Sequence, residues 1–340
     1  MNHSSARSVL ATKLLLLLLT SALAPIALAQ ALPGITPAVK APGTLRIATW
    51  NLEWLIAPRD FPQLARDCVP PKGESNNPRS IPCDVATEGG RVDADFEALA
   101  RYARALDADV VSLQEVDGVA AAGRVFKSHS FCLSSRPNVQ NNGFAIRQGI
   151  PFRCGTEVVA LGLGGRVRYG VELVLYPGTA REMFLLSVHL KSGCPRQALD
   201  SRREACVLLA RQVPELERWI DAQAAAGHRF AVLGDFNRDL LADRGPARDA
   251  NGVQLGLWNE IDDGDPTGAK LSTVAEGQPY SNCASTQNYQ GYIDHVVLGA
   301  ALAAWRVPNS FVRLTYADAD AASRKLSDHC PVGVDLQLPR

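Results

Sequence analysis

The chain carries no excess of charge of either sign, with 35 Lys+Arg against 35 Asp+Glu. Tight, sequence-independent nucleic-acid binders normally show a basic surface, so that class is disfavoured. An enzyme that touches phosphate through a small local patch remains open. Beyond the first 30 residues no segment is long and apolar enough to span a bilayer, which takes about 20 residues. No internal repeat is visible, which sets repeat architectures aside. The cysteines contain no C-x-x-C pair, which argues against a structural zinc site. Nor does an aromatic-rich hairpin stand out for entering a membrane, although Trp258 and Trp305 leave some room for one.

What is present begins with an export pattern. Arg7 and Lys13 precede the run Leu14–Leu19, Pro25 interrupts the apolar stretch, and Ala27-Leu28-Ala29 offers small residues at a cleavage position. Residues 1–29 thus read as a secretory signal peptide and the protein as secreted or periplasmic. Its removal takes away two cations and no acid. Residues 30–43, rich in Pro, Gly and Ala, read as a flexible lead-in. The remaining length fits one large domain or two. One, spanning 44–340, is expected, because the motifs that matter run through nearly all of it.

The cysteine count is 8, and an even number in an exported chain points to disulfides. Spacing cannot decide among the many pairings, but sequence-local pairs are the simplest: 68–83, 132–154 and 194–206, leaving 283–330.

Strand patterns occur at Leu45–Trp50, Asp109–Leu113, Glu157–Leu161, Val171–Leu175, Met183–His189, Phe230–Leu233, Tyr292–Leu298, Phe311–Leu314 and Val332–Leu336. Asp93 can cap a helix whose apolar positions are Phe96, Leu99, Ala100, Ala103 and Leu106. A second helix covers 198–226, where Pro214 should kink or split it near Val213. Residues 58–92 read as a disulfide-tied surface loop, and 238–290 as largely loop.

Six short strings set polar residues where strands meet turns: ATWNLEW (Asn51, Glu53), SLQEV (Gln114, Glu115), SVHLKS (His189, Lys191), LGDFN (Asp235, Asn237), YIDHVV (Asp294, His295) and LSDHCPV (Asp328, His329). Asn51, Glu115, His189 and Asp235/Asn237 fall at strand exits; Asp294 and Asp328/His329 fall at entries. Exits and entries share an edge when strands run antiparallel. All six can therefore gather on one rim.

Gathered there, Glu115 is a hard oxygen ligand with the Asn51 amide beside it, a set suited to Mg²⁺, which takes one or two carboxylates and keeps several waters. Asp235 and Asn237, two apart on a tight turn, can orient water or bind a phosphoryl oxygen. His329 suits proton transfer near neutrality, and Asp294 can fix its tautomer. His189 is then free to act on the phosphoryl oxygen or leaving group. His295 points opposite Asp294 by strand alternation and reads as a bystander. Lys191, Arg147, Arg166 and Arg168 are candidate phosphate contacts, Lys191 and Arg168 foremost.

Together these strings resemble the endonuclease/exonuclease/phosphatase superfamily, the DNase I-like group, over about residues 44–338. The resemblance implies an α/β fold, a four-layer sandwich of two packed mixed β-sheets flanked by helices. It further implies Asn51 and Glu115 at a divalent metal (Mg²⁺, with Mn²⁺ a substitute) and Asp328 as an additional contact. By the same resemblance Asp235 and Asn237 position water and phosphate, His329 with Asp294 is the general base, and His189 acts on the phosphate. Glu53 matches a position acidic in only some members. His189 aligns where abasic-site endonucleases carry Tyr, which weakens a repair-enzyme reading. The expected activity is metal-dependent phosphodiester hydrolysis, with nucleic acid the favoured substrate. Sphingomyelin or another phospholipid head group, and inositol phosphates or nucleotides, are the alternatives. An inactive binding module on this scaffold would lack one of the set, and none is missing.

Overall fold

The computed structural model describes Met1 and residues 35–70, 75, 77–243, 256–267 and 269–339. The expected signal peptide, after Met1, and the first residues of the lead-in lie outside the described residues. Two six-stranded mixed sheets pack face to face. The first, in the order β11-β12-β1-β2-β4-β3, is built from Val312–Arg313 (β11), Val332–Leu336 (β12), Leu45–Leu55 (β1), Val110–Val116 (β2), Asn141–Arg147 (β4) and His129–Leu133 (β3). The second, β5-β6-β7-β8-β10-β9, uses Phe152–Val158 (β5), Gly170–Leu175 (β6), Met183–His189 (β7), Phe230–Asp235 (β8), Asp294–Gly299 (β10) and Leu271–Thr273 (β9).

Alternation along the central strands explains the four layers. In β1, Ile47 joins the core between the sheets and Ala48 the outer core; in β7, Leu185 faces inward and Leu186 outward. Strands buried on both faces read as continuous apolar runs. The outer face of the first sheet is covered by Asp93–Leu106 (α3), through Phe96, Leu99 and Tyr102, and by Val119–Val125 (α4), through Ala121, Ala122 and Val125. The outer face of the second is covered by Glu204–Ala225 (α5), through Leu209, Val213 and Leu216. At the start of α3 it is Asp95, not Asp93, that closes the cap, accepting from the Val92 amide at 2.9 Å.

Several expectations are corrected. Helix α5 runs unbroken through Pro214, because the neighbouring Val213 and Leu216 are fully buried against the sheet and hold the turn that lacks a backbone donor. The segment 58–92 contains two short helices, Phe61–Arg66 (α1) and Cys83–Glu88 (α2), fastened by the Cys68–Cys83 disulfide. The predicted strand at Glu157–Leu161 lies earlier, at β5, and Val159–Gly162 is a 3-10 turn. Residues 35–43 are not a loose lead-in. Ile35 is buried, the Ala38 amide donates to the Ala105 carbonyl, and the wholly buried Arg46 guanidinium holds the carbonyls of Ala38, Val39 and Leu106 together with Asp335.

All four disulfides form the simplest, sequence-local set: Cys68–Cys83, Cys132–Cys154, Cys194–Cys206 and Cys283–Cys330. They fit an oxidising compartment. Among the described residues no helix is long and apolar enough to cross a membrane.

Beneath one end of the sheets a polar bridge interrupts the apolar core. Ser112 Oγ (β2) lies 2.8 Å from Ser187 Oγ (β7) and 3.0 Å from the Leu233 carbonyl (β8). Gln114 donates to Ser112 at 2.9 Å and accepts from Thr49 at 3.1 Å.

Candidate active site

Strand directions deliver the polar strings to one rim. β7 and β8 are parallel and end together, with His189 opposite Asp235; β10 enters antiparallel to β8, with Asp294 opposite Asp235. Asp235 reaches that place because Gly234 turns with φ +156°, where a Cβ would sit 1.9 Å from the Val188 carbonyl oxygen. On the other sheet β1 pairs β2 in parallel up to Asn51–Gln114, then bulges before Leu55–Val116. Asn51 therefore lies within β1, not at its exit. The bulge puts Glu53, Trp54 and Glu115 in the left-handed region (φ +45°, +50° and +60°). Bulges re-aim side chains in this way near active sites.

At the centre, His329 Nδ1 is 2.7 Å from Asp294 Oδ2, and His329 Nε2 is 3.9 Å from Asp235 Oδ2. Asp235 also receives the Asn237 amide at 2.7 Å and the Asn51 side-chain amide at 3.0 Å. His189 Nε2 lies 3.5 Å from Asp235 and 3.7 Å from Glu115. Glu115 in turn receives the Trp54 amide at 3.1 Å and Asn51 Nδ2 at 3.3 Å. The five expected catalytic side chains and Glu115 thus form one connected group.

Burial sets the electrostatics. Desolvation pushes the Asp235 carboxyl up to about 7, opposed by His329 and reinforced by Asp294. Burial alone would lower His329, but the charge and hydrogen bond of Asp294, with Asp235 and Asp328 behind, hold it well above the ordinary imidazole value. His189 moves the other way: burial, then the charge of Arg168, keeps it neutral. Glu53 is pushed up to about 7 by burial and by Asp328, whose backbone amide it accepts at 3.0 Å.

Two expected metal residues differ in geometry from the expectation. The Glu53 amide donates to Asn51 Oδ1 at 2.9 Å, and a backbone N–H can only donate. Asn51 must then offer its NH₂ to Glu115 and Asp235. It is a positioning donor here, and its Oδ1 keeps one lone pair beyond the bond from Glu53. Asp328, with a side chain 44% exposed, reaches the group only through 3.8 Å to His329. Among the described residues, Asp235, Asp294 and His329 form a cluster that could take an ion. Its imidazole nitrogen Nδ1 is committed to Asp294, and Mg²⁺ prefers oxygen, so Glu115 with Asp235 is the better oxygen pair.

The phosphate candidates divide. Arg147 sits at the opposite end of the first sheet, bonded to Asp107 and the Ala108 carbonyl, and is excluded from the rim. Lys191 turns its ammonium to the Ser192 carbonyl at 2.9 Å and does not enter the site. Arg166 is exposed and paired with Glu204, whereas Arg168 donates to the Leu190 carbonyl at 3.3 Å, beside Asn237, which donates to the same oxygen at 3.1 Å. His295 is buried with Nε2 3.1 Å from the carbonyls of Arg238 and Tyr292, consistent with its bystander reading.

Sequence reading missed the residues that hold the rim. Ser327 donates to the Asn51 carbonyl and accepts from the His329 amide, and Gln287 grips the Asp328 carbonyl at 2.8 Å. Arg91, almost wholly buried, ties the Glu53 carbonyl to those of Lys325 and Leu326. Only Ser327, inside a motif string, carried a signal.

A cavity of about 470 Å³ opens beside His329, walled by Tyr280, Tyr289, Arg196 and Arg313 and floored by Asn237 and Asp294. Its size falls in the usual range for small-molecule sites, about 300–1,000 Å³.

Humanized D. rerio TDP2 carrying 14 mutations superposes with a TM-score of 0.50 at 16% identity, covering 86% of this chain and 98% of that one. The human Nocturnin catalytic domain, solved with a bound sulfate anion, gives a TM-score of 0.48 at 12% identity, covering 88% and 97%. At such identities the likeness to D. rerio TDP2 speaks to the fold alone. No curated protein matches in sequence. The Endonuclease/Exonuclease/phosphatase family matches residues 48–329, from β1 to His329, and the chain belongs to that family.

Proposed function

We propose that the protein is a secreted, divalent-metal-dependent phosphodiesterase acting on nucleic acid, with residues 44–340 as its catalytic domain and residues 1–29 as an export signal. The observation that carries the reading is the convergence of His329–Asp294, Asp235–Asn237, His189 and Glu115 from both sheets on one gap.

The donor set fits a divalent cation. Glu115 and Asp235 are hard oxygen donors, and burial first, then a neighbouring acid, raises Glu53 and Asp235 to about 7. Glu115 and Asp235 would hold Mg²⁺ or Mn²⁺, with Asp328 at the margin. Such an ion supplies Lewis-acid stabilisation of phosphoryl oxygens and a more acidic bound water.

The chain's own residues do the rest. Water oxygen attacks phosphorus, the bond to the leaving oxygen breaks, and the water proton passes to the Asp235/His329 pair. Asp294 orients His329 and, with Asp235 and Asp328, favours the protonated form that His329 takes on receiving that proton. Asn237, its NH₂ held by the Leu190 carbonyl and Asp235, has its Oδ1 left to orient the attacking water. Neutral His189 offers an N–H to developing oxygen charge.

Nucleic acid is favoured over lipid by the surface. Trp258 is buried and Trp305 packs under Arg229, so neither indole is free to enter a membrane. Among the described aromatic residues the large exposed one is Tyr289, standing alone. The test is a panel of plasmid DNA, RNA, sphingomyelin and inositol phosphates with and without chelator. Metal-dependent cleavage of polynucleotide is expected; hydrolysis of sphingomyelin alone overturns the choice of substrate.

A further inference from the structure

A second cavity, of about 140 Å³, shares no lining residue with the one beside His329. Arg136, Arg166 and Arg168 line it, together with Asn138, Gln140 and Trp54, and no acid does. The left-handed turn Leu163–Gly165 (φ +47°, +73° and +91°) brings the chain back, and buried Val167 anchors it between the two arginines.

Two of these guanidinium groups, Arg136 and Arg168, are under-used. Arg136 is 9% exposed and its guanidinium lies 5.3 Å over the Tyr169 ring, with no hydrogen bond or ion pair among the described residues. Glu157, an acid within its electrostatic range, is taken by the Ser135 hydroxyl at 2.8 Å. Arg168 makes one long bond, to Leu190, and its buried Nε has no partner. Among the described residues Arg166 alone of the three has an ion pair, to exposed Glu204, and gathered like charges raise the energy of the site until an anion enters. Guanidinium forks match phosphate in particular.

The cavity touches the reaction centre at two points. The Leu190 carbonyl takes bonds from both Arg168 and Asn237, and Trp54 donates its backbone amide to Glu115. The volume is well below the ~300 Å³ at which small-molecule pockets begin, so it suits one phosphate group and not a base or sugar.

We infer that this cavity is a second phosphate subsite, holding a phosphate of the substrate that neighbours the one being hydrolysed. The inference rests on the phosphodiesterase reading and deepens it. The substrate class is a strand with successive phosphates, which sphingomyelin, with one, is not.

Arg136→Gln is the test variant. Wild type is assayed on a dinucleotide with only its internal phosphodiester and on the same dinucleotide with a 5′- or 3′-terminal phosphate added. The added phosphate is expected to lower KM by about tenfold, the scale of one charge-assisted contact, with kcat little changed. Arg136→Gln should remove most of that gain. Equal KM on all three substrates overturns the subsite and leaves the phosphodiesterase reading standing; hydrolysis of none overturns that reading. A turnover-free measurement, binding of single-stranded oligonucleotide in EDTA against salt, reads the subsite separately. The variant should lower the slope of log K against log salt by about 0.7, one phosphate contact on a single strand. An unchanged slope overturns the subsite. Arg166→Gln, at a side chain that is 54% exposed, gives the same readout if Arg136→Gln does not fold.

Discussion

His329 and Asp294 meet from opposite sheets. The imidazole Nδ1 is 2.7 Å from Asp294 Oδ2, while the other Asp294 oxygen, buried, has no hydrogen-bond partner. The carboxylate is spent almost entirely on the histidine. Asp294→Asn should therefore lower the pKa of His329, read by NMR titration of the imidazole in metal-free protein. An unmoved titration would remove Asp294 as the source of the shift. His329→Ala should lower kcat by at least ~100-fold, the scale of a positioned acid–base group. Near-wild-type turnover would take His329 out of the mechanism.

Asn51 links Glu115 to Asp235 as a donor. Asn51→Ala should raise the Mg²⁺ concentration needed for half-maximal activity by about 10–100-fold, as loss of a ligand-orienting partner does. EDTA should abolish activity and Mg²⁺ or Mn²⁺ restore it. Full activity in chelator removes Glu115 from a metal role.

The Cys283–Cys330 disulfide closes a 47-residue separation and ends next to His329; Cys68–Cys83 closes 15 and lies far along the chain from it. By loop-closure entropy their removal should cost about 4 and about 3 kcal/mol respectively. The distinguishing expectation is kinetic. Replacing Cys283 and Cys330 by Ser should lower kcat as well as denaturant stability. Replacing Cys68 and Cys83 should lower stability with kcat nearly unchanged. Equal kinetic effects would show that the first bridge does not position the histidine.

The sequence made β7 and β12 legible to the residue, because apolar runs buried on both faces end there at sharp polar turns. It hid β3 and β4. Asn141 and Asn142 open β4 as buried residues, and Asn142 donates to the Ser187 carbonyl at 2.9 Å, a partner distant in sequence. The site was legible as a set of residues but not in all its roles. Asn51 faces as it does because the bulge aims the Glu53 amide at it, and no periodicity announces a bulge. Arg91 and Arg136 act through contacts made only after folding.

His129, at the start of β3, offers a pH test away from the reaction centre. Burial, then the charge of Arg147, lowers its pKa below the ordinary 6.5. The unfolded chain therefore takes up the proton first. The neutral-histidine contribution to stability is complete above pH 6.5 and declines as pH falls below it toward the depressed folded value. Wild-type Tm should drop between pH 7 and 5, and His129→Phe should flatten part of that drop. Parallel Tm profiles for the two proteins would exclude His129 as a cause.

The hydroxyl of Ser112, shared with Ser187 and the Leu233 carbonyl, has a mechanical meaning. Greasy faces alone resist separation but slide past one another cheaply, and this reaction centre takes half its groups from each face. Directional bonds at 2.8 and 3.0 Å act as a dowel against that sliding. The alignment of Glu115 with Asp235 and His189 is then set to the tolerance of a hydrogen bond, in a place where oil alone would have left it adrift.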